Sequence, residues 1–141
     1  MKTKALLIVV LTALFTSCSD VLIEDYIAGS WELKTYLRND VDETSEILIS
    51  NYMETYVVDG TLSRRYVDGK QILTEESGKF SVNEDDMTIH VSDLSSIADF
   101  SEHHSTLSSS ILKVETIDDV EFVYTFENGG DKHEFRFLKG D

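Results

Sequence analysis

The sequence has little cysteine and little basic charge. One cysteine in 141 residues excludes an internal disulfide. Twelve lysines and arginines stand against 27 aspartates and glutamates, so the chain lacks the basic surface that nucleic acid binding requires. With 41% apolar residues the chain is still too hydrophobic to be a disordered acidic tail. The length leaves room for one domain.

Long apolar runs are also absent. The longest run, Ala5 to Phe15, is shorter than the roughly 20 residues of a membrane-spanning helix. Lys2 and Lys4 precede it, which is the pattern of a secretory signal peptide, predicted here at residues 1–17. Cys18 directly follows. The residues before it resemble a bacterial lipobox, with Phe15 in place of the usual leucine, and the resemblance implies a lipidated cysteine. The alternative is an ordinary secreted protein that is cut nearby.

The resemblance to a lipobox implies a place in the cell. Ser19 and Asp20 favour the outer membrane over retention at the inner one. We therefore expect a lipid-anchored protein of a Gram-negative cell envelope, with its periplasmic or surface-exposed face left open. Residues 1–17 contain two lysines and no acid, so the remaining 124 residues carry a formal net charge of −17. This charge favours cationic partners over anionic ones, although solubility alone also explains it.

From Trp31 onward the pattern is that of β-strands. Residues 18–28 are predicted as the lipidated N-terminus with a short helical lead-in, because apolar residues recur there at helical spacing. Trp31, Leu33 and Leu37 then alternate with polar residues, which predicts a strand with these side chains on one face. The Asp-Gly pairs at 59–60 and 68–69 are typical of hairpin turns. Residues 92–109 are serine-rich and predict a loop with at most a short helix. The predicted strand segments cover residues 30–38, 51–58, 61–67, 70–75, 78–83, 86–91, 110–117, 120–127 and 131–138, which gives eight strands if 70–75 and 78–83 run together.

Eight successive strands predict an all-β fold. An open meander of this length would expose two edges, so closure into a single antiparallel up-and-down barrel is the simplest arrangement. Residues 29–141 are long enough to form such a barrel around a core.

A family resemblance supports this fold. The sequence Gly29-Ser30-Trp31 at the start of the first strand resembles the Gly-X-Trp signature of lipocalins. Residues 56–69 and 78–82 are similar to bacterial lipocalin-like domain lipoproteins. The resemblance implies that Arg136, in the last strand, covers the ring of Trp31 and closes the barrel. The further loop motifs of animal lipocalins are absent, and another small β-sandwich with Trp31 in its core is the alternative.

The barrel interior is the candidate site. An eight-stranded barrel lies between a filled core and a cavity for one small ligand, and the sequence leaves both open. The predicted ligand-facing residues are Leu37, Tyr56, Leu62, Tyr66, Phe80, Met87, Ile89, Leu112, Val114, Phe122, Tyr124 and Phe126, and Leu33, Val82, Phe135 and Phe137 complete the inward set.

Motifs for catalysis are missing from the sequence. There is no Gly-X-Ser-X-Gly elbow, no His-Glu-X-X-His and no glycine-rich phosphate loop, and the paired acids fall at predicted turns. The one histidine cluster, Glu102-His103-His104, lacks the three or four fixed ligands of a zinc site. We expect no enzyme, no cofactor and no metal.

Three hypotheses for function follow. The first is an anchored, non-catalytic barrel that binds a small hydrophobic molecule. The second is an acidic lipoprotein that binds or inhibits a basic protein through its surface. The third is an accessory module of an envelope assembly. In each case we expect a monomer that does not bind nucleic acid.

Overall fold

The computed structural model describes residues 21–101, 106–107 and 109–141. One short helix precedes a series of antiparallel strands, as the sequence predicts. The elements are α1 (Ile23–Tyr26), β1 (Gly29–Arg38), β2 (Val41–Asp42), a 3-10 turn (Thr44–Glu46), β3 (Ser50–Tyr56), β4 (Thr61–Val67), β5 (Leu73–Asn83), β6 (Thr88–Ser92), β7 (Ile97–Ala98), β8 (Thr106–Leu107), β9 (Ile111–Ile117), β10 (Glu121–Asn128) and β11 (Asp131–Lys139).

Eight of these strands form a closed barrel. They pair in the order β1-β3-β4-β5-β6-β9-β10-β11, and β11 pairs back onto β1 from Trp31 opposite Lys139 to Arg38 opposite His133. This closure removes the free edges, and it confirms the predicted fold class. The short strand β2 adds to the outside of β1 as a ninth strand.

The two ends of the barrel differ. At the end that we call the closed end lie α1 and the turns β3–β4, β5–β6 and β9–β10. At the opposite end, called the mouth, lie residues 39–49, the β4–β5 turn and the β10–β11 turn. A segment that follows β6, residues 93–101, also reaches the mouth, where Ile47 bridges to Ser101.

A β-bulge in β1 overturns one predicted orientation. Leu33 pairs with Phe137, but Thr35 already pairs with Arg136, so Lys34 is an extra residue in β1. The inward face therefore changes from the odd to the even positions, and Tyr36 is completely buried while Leu37 is only partly buried. Leu37 pairs with Glu134, on the outward face of β11. The predicted inward orientation of Leu37 is wrong.

The serine-rich segment contains no helix within its described residues. It forms a two-stranded ribbon instead, in which Ile97 pairs with Leu107 and Ala98 with Thr106. Asp93 and Asp99 adopt left-handed backbone angles, with φ of 64° and 53°, on either side of β7. Aspartate tolerates this conformation better than most residues, and the two bends direct the apolar side chains of this segment toward the barrel.

Candidate functional site

Most of the residues predicted to face a ligand do line the barrel interior. Phe80 and Met87 are partly buried against the core, and Met87 lies in the turn before β6 rather than in the strand. Leu37 is the exception described above. The remaining nine are buried, namely Tyr56, Leu62, Tyr66, Ile89, Leu112, Val114, Phe122, Tyr124 and Phe126.

A buried carboxylate lies at the centre of this interior. Glu54 follows Tyr52 and precedes Tyr56 at every second position of β3, so all three side chains point inward. The Glu54 carboxylate accepts hydrogen bonds from the hydroxyls of Tyr52 (2.7 Å), Tyr56 (2.6 Å) and Tyr124 (2.7 Å). These three donors offset part of the cost of burying its charge.

The pKa values of this cluster follow from burial. Burial raises the pKa of Glu54 above its ordinary value, although the tyrosine hydrogen bonds and the charge of Arg64 act in the opposite direction. Burial, followed by the charge of Glu54, raises the pKa values of Tyr56 and Tyr124 well above 10. The phenols are therefore neutral hydrogen-bond donors to Glu54.

A buried arginine lies beside the carboxylate. Arg64 is between Leu62 and Tyr66 on the inward face of β4 and is 7% exposed. Its Nε donates to the Glu76 carboxylate at 2.8 Å, and its Nη2 lies 2.6 Å from the same carboxylate. Among the described residues, Arg64 is the one buried side chain with a permanent positive charge.

The free space beside this cluster is small. Tyr52, Glu54 and Arg64 line one side of a cavity of about 40 Å³, and Leu112, Tyr124 and Phe135 line the other. This volume corresponds to one or two water molecules, whereas small-molecule sites occupy about 300–1,000 Å³. The interior is therefore packed in this conformation.

Three side chains from one segment complete this packing at the mouth. We call residues 93–101 the plug segment. Phe100 and Ile97 are buried, and Leu94 packs against the core. Phe100 stacks on Phe135 at a centroid distance of 5.4 Å and meets Tyr36 edge-on at 5.1 Å. These side chains fill the mouth of the barrel.

The barrel wall has a matching recess for Leu94. Gly78 faces inward on β5, and a Cβ atom at this position would collide first with the carbonyl oxygen of Ser92 and would also lie 2.8 Å from Cγ of Leu94. Glycine therefore leaves space both for the Ser92 backbone and for the side chain of Leu94.

Backbone carbonyls of the plug segment accept hydrogen bonds at the mouth. The Leu48 amide donates to the Phe100 carbonyl at 2.9 Å, and Arg64 Nη2 donates to the carbonyl of Ser95, in a partly buried contact. The guanidinium of Arg64 thus connects the buried cluster directly to the plug segment.

Beneath the plug segment lies a second polar pair. The hydroxyl of Tyr36 is 2.7 Å from Nδ1 of His133, and the two rings stack. Burial, followed by the charge of Glu43, raises the pKa of Tyr36 above its usual value. Glu43 is itself buried and accepts a bidentate hydrogen bond from Arg38.

At the closed end the residue over the tryptophan is not the predicted one. Arg136 points outward and bonds Glu134 at 2.8 Å, because its neighbours Phe135 and Phe137 take the inward positions. Lys139 covers Trp31 instead, with Nζ 4.2 Å from the ring centroid. The prediction that Arg136 covers Trp31 is wrong. The expected contact between a basic side chain and the indole ring is made by Lys139, three residues further along β11.

The first residue of the signature supports the same contact. Gly29 has a φ of +119°, and a Cβ atom there would lie 2.7 Å from Nζ of Lys139. Glycine is therefore needed both for the backbone angle and for the passage of the lysine.

Several predicted features lie outside the described residues. They are the signal peptide, Cys18 and the cluster Glu102-His103-His104. Within the described ranges, no group of three or more potential ligands could hold a metal ion. No helix there is long and apolar enough to cross a membrane.

The sequence reasoning missed the polar part of the site. Counting by twos from Tyr56 reaches Glu54 and Tyr52, and the position between Leu62 and Tyr66 is Arg64. The two-residue alternation of β3 and β4 thus places Glu54 and Arg64 on the inward face. The prediction left them out because charged residues are rarely buried.

Comparisons with known proteins identify the fold. No family model and no curated protein matches the chain. Among solved structures, a lipocalin-like protein from Bacteroides uniformis aligns with a TM-score of 0.56 at 20% identity, over 81% of this chain and 98% of that chain. An uncharacterized protein from Bacteroides eggerthii aligns with a TM-score of 0.51 at 15% identity, over 81% and 99% of the two chains.

A third solved structure carries a ligand. Japanin from Rhipicephalus appendiculatus, bound to cholesterol, aligns with a TM-score of 0.56 at 8% identity, over 79% of this chain and 74% of that chain. At these identities the three likenesses show the fold alone. The protein has a lipocalin-like barrel.

Proposed function

We propose that this protein is a lipid-anchored, non-catalytic lipocalin-like protein of the Gram-negative cell envelope, and that it binds a small hydrophobic ligand inside its barrel. The carrying observation is the plug segment, whose side chains Leu94, Ile97 and Phe100 fill the mouth and pack against the apolar core of the barrel. Japanin, a solved structure of similar fold, is bound to cholesterol, which supports an apolar ligand.

Ligand entry requires the plug segment to move. The cavity of about 40 Å³ is too small for a ligand of ordinary size. Withdrawal of three apolar side chains costs about 1.5–3 kcal/mol for each one exposed to water. A ligand repays this cost only if it covers the same apolar wall, and so the site selects apolar molecules.

The anchor places this site at a membrane. Cys18 lies three residues before the first described residue, so a lipid on Cys18 would hold the closed end within about 10 Å of the bilayer surface. The mouth, at the opposite end of the barrel, would then face away from the membrane.

A disulfide that locks the plug segment tests this function. Ile47 and Ser101 are paired in an isolated antiparallel bridge, so Ile47→Cys with Ser101→Cys, in a chain carrying Cys18→Ser, joins the segment to the mouth. Native mass spectrometry after incubation with an envelope lipid extract is expected to show a 1:1 adduct for the reduced protein and none for the oxidised one. The variant Phe100→Ala, which lacks one of the side chains that fill the mouth, is expected to show a larger fraction of adduct than the reduced protein with Phe100.

The same protein before and after reduction provides the matched control. Equal loading of the oxidised and reduced forms would place the ligand outside the barrel. A bare protein in every form, including Phe100→Ala, would overturn the proposed function.

Acidic turns at the closed end support a second candidate function, the binding of a basic protein. Asp59 and Asp118 are exposed, and backbone or side-chain hydrogen bonds lower their pKa values, which keeps them ionised. Such a complex would form through the outer surface, with the plug segment in place. Its association with a basic protein such as lysozyme should weaken steeply with salt and be indifferent to the locking disulfide.

A further inference from the structure

The plug segment contacts the barrel in the way that an amphiphilic ligand would. Its apolar side chains cover the aromatic wall near Phe135, and one polar atom, the Ser95 carbonyl oxygen, reaches the guanidinium of Arg64. The segment therefore presents to the barrel both an apolar face and a hydrogen-bond acceptor.

We propose that the ligand is an uncharged amphiphile whose carbonyl oxygen takes the place of the Ser95 carbonyl on Arg64, with its apolar chain in the space of Leu94, Ile97 and Phe100. This inference rests on the proposed function and adds the chemical class of the ligand.

The apolar part of the ligand follows from the walls. Phe100 lies between the rings of Tyr36 and Phe135, and Leu94 lies over Gly78. A chain or ring system that replaces these side chains restores the contacts that are lost when the segment withdraws.

The head group must be a hydrogen-bond acceptor. Withdrawal of Ser95 removes one acceptor from Nη2 of Arg64, which keeps the Glu76 carboxylate as a partner, and the loss of a hydrogen bond to a largely buried charged group is costly. A carbonyl oxygen of the ligand restores the bond. A pure hydrocarbon does not restore it and binds more weakly.

The head group is also neutral. The charge of Arg64 is already matched by Glu76, whose carboxylate oxygen lies 2.6 Å from Nη2. Glu54 lines the same cavity as Arg64 and adds a further carboxyl group. A carboxylate on the ligand would therefore be a surplus negative charge in a buried site, and the net charge of −15 on the full chain disfavours its approach. An ammonium head would meet Arg64 as a like charge.

Four twelve-carbon probes separate these classes, namely dodecanamide, dodecanoate, dodecylamine and dodecane. Binding is measured by native mass spectrometry and by competition at about pH 7.5, on the chain carrying Cys18→Ser and on the same chain with Phe100→Ala. Dodecanamide is expected to bind at least about tenfold more tightly than each of the other three, the factor expected for one buried hydrogen bond to a charged donor.

A pair of double variants tests the role of Arg64. The residues Arg64 and Glu76 face each other on the inner side of β4 and β5, and Arg65 and Glu75 are the neighbouring pair on the outer side. Arg64→Gln with Glu76→Gln removes the buried positive charge together with its partly buried carboxylate partner and should reduce the preference for dodecanamide over dodecane by about tenfold. Arg65→Gln with Glu75→Gln, the matched control, should leave it unchanged.

The outcomes are distinguishable. If dodecanoate or dodecylamine binds as tightly as dodecanamide, or if the inner double variant keeps the full preference, the assignment of a neutral carbonyl head is overturned while ligand binding in the barrel stands. If no probe binds to either chain, both the assignment and the proposed function are overturned.

Discussion

Nζ of Lys139 lies 4.2 Å above the ring of Trp31 and donates to the carbonyls of Ala28 and Tyr26, at 2.5 and 3.4 Å. One side chain from the last strand therefore fastens the first strand and the N-terminal segment together. Trp31 contributes from the other side, since its indole nitrogen donates to the Ile27 carbonyl at 2.8 Å. Burial lowers the pKa of Lys139.

Lys139→Met should therefore destabilise the protein. It removes the cation–π contact and two hydrogen bonds, which together are worth about 1–2 kcal/mol at a partly exposed site. Arg136→Met, on the same strand but pointing outward, should change the free energy of unfolding by less than about 0.5 kcal/mol. Urea unfolding followed by circular dichroism compares the two. If Arg136→Met lowered the free energy of unfolding more than Lys139→Met does, the arginine and not the lysine would stabilise the closed end.

Glu54→Gln should change how stability depends on pH. Because the pKa of Glu54 is raised in the folded state, the native protein binds more protons than the unfolded chain between the unfolded and folded pKa values. The wild type consequently loses stability as pH rises through this window, and the variant lacks this loss. The stability of Glu54→Gln relative to wild type should rise with pH above about 4.5 and then level off.

Urea midpoints measured between about pH 4 and 8 test this sign. Glu127→Gln, at an exposed position of β10, controls for the removal of one carboxyl group. If the stability of Glu54→Gln relative to wild type instead fell as pH rises from about 4.5, the prediction would be contradicted.

Tyr36→Phe should cost about 1–2 kcal/mol of stability. The change removes one hydroxyl from a buried pair and leaves Nδ1 of His133 without that partner. Tyr26→Phe, at an exposed position of α1, is the control and should have little effect. Thermal unfolding of both variants and the wild type tests this prediction. If Tyr36→Phe and Tyr26→Phe had equal unfolding midpoints, the hydrogen bond between Tyr36 and His133 would contribute nothing to stability.

Cys18→Ala should abolish attachment to the membrane. The thiol is the proposed site of lipidation, so cells supplied with labelled palmitate should label the wild type and the control Ser19→Ala, and should leave Cys18→Ala unlabelled. Detergent partitioning of the three proteins gives an independent reading. Labelled Cys18→Ala would show that lipid is attached elsewhere or that the label is not specific.

The barrel could be predicted from the sequence because strand alternation and Asp-Gly turns are local signals. At the β4–β5 turn the positive φ is at Gln71 and not at Gly69, so the Asp-Gly pair at 68–69 indicates where the turn lies but not its backbone conformation. Leu37 was misplaced because a single extra residue, Lys34, reverses every later side chain in the strand. The alternation of apolar and polar residues in β1 gives no sign of that bulge.

The site was harder to predict for a different reason. Glu54 and Arg64 are buried together because Tyr52, Tyr56 and Tyr124 come from three directions to bind the carboxylate, and Glu76 pairs with the guanidinium. Phe100 reaches the mouth through pairings with residues 47 and 48, more than 50 positions earlier. Such contacts exist only after the barrel has closed.

The position of the single tryptophan also determines what its fluorescence reports. Trp31 lies at the closed end, and Tyr36, which touches Phe100 at the mouth, is five residues further along the same strand, roughly 15 Å away. Indole emission should therefore follow the opening of the closed end and stay nearly constant while the plug segment exchanges with a ligand. The protein thus carries an intrinsic optical probe at one end, and ligand entry at the other end is optically silent unless a second fluorophore is placed there.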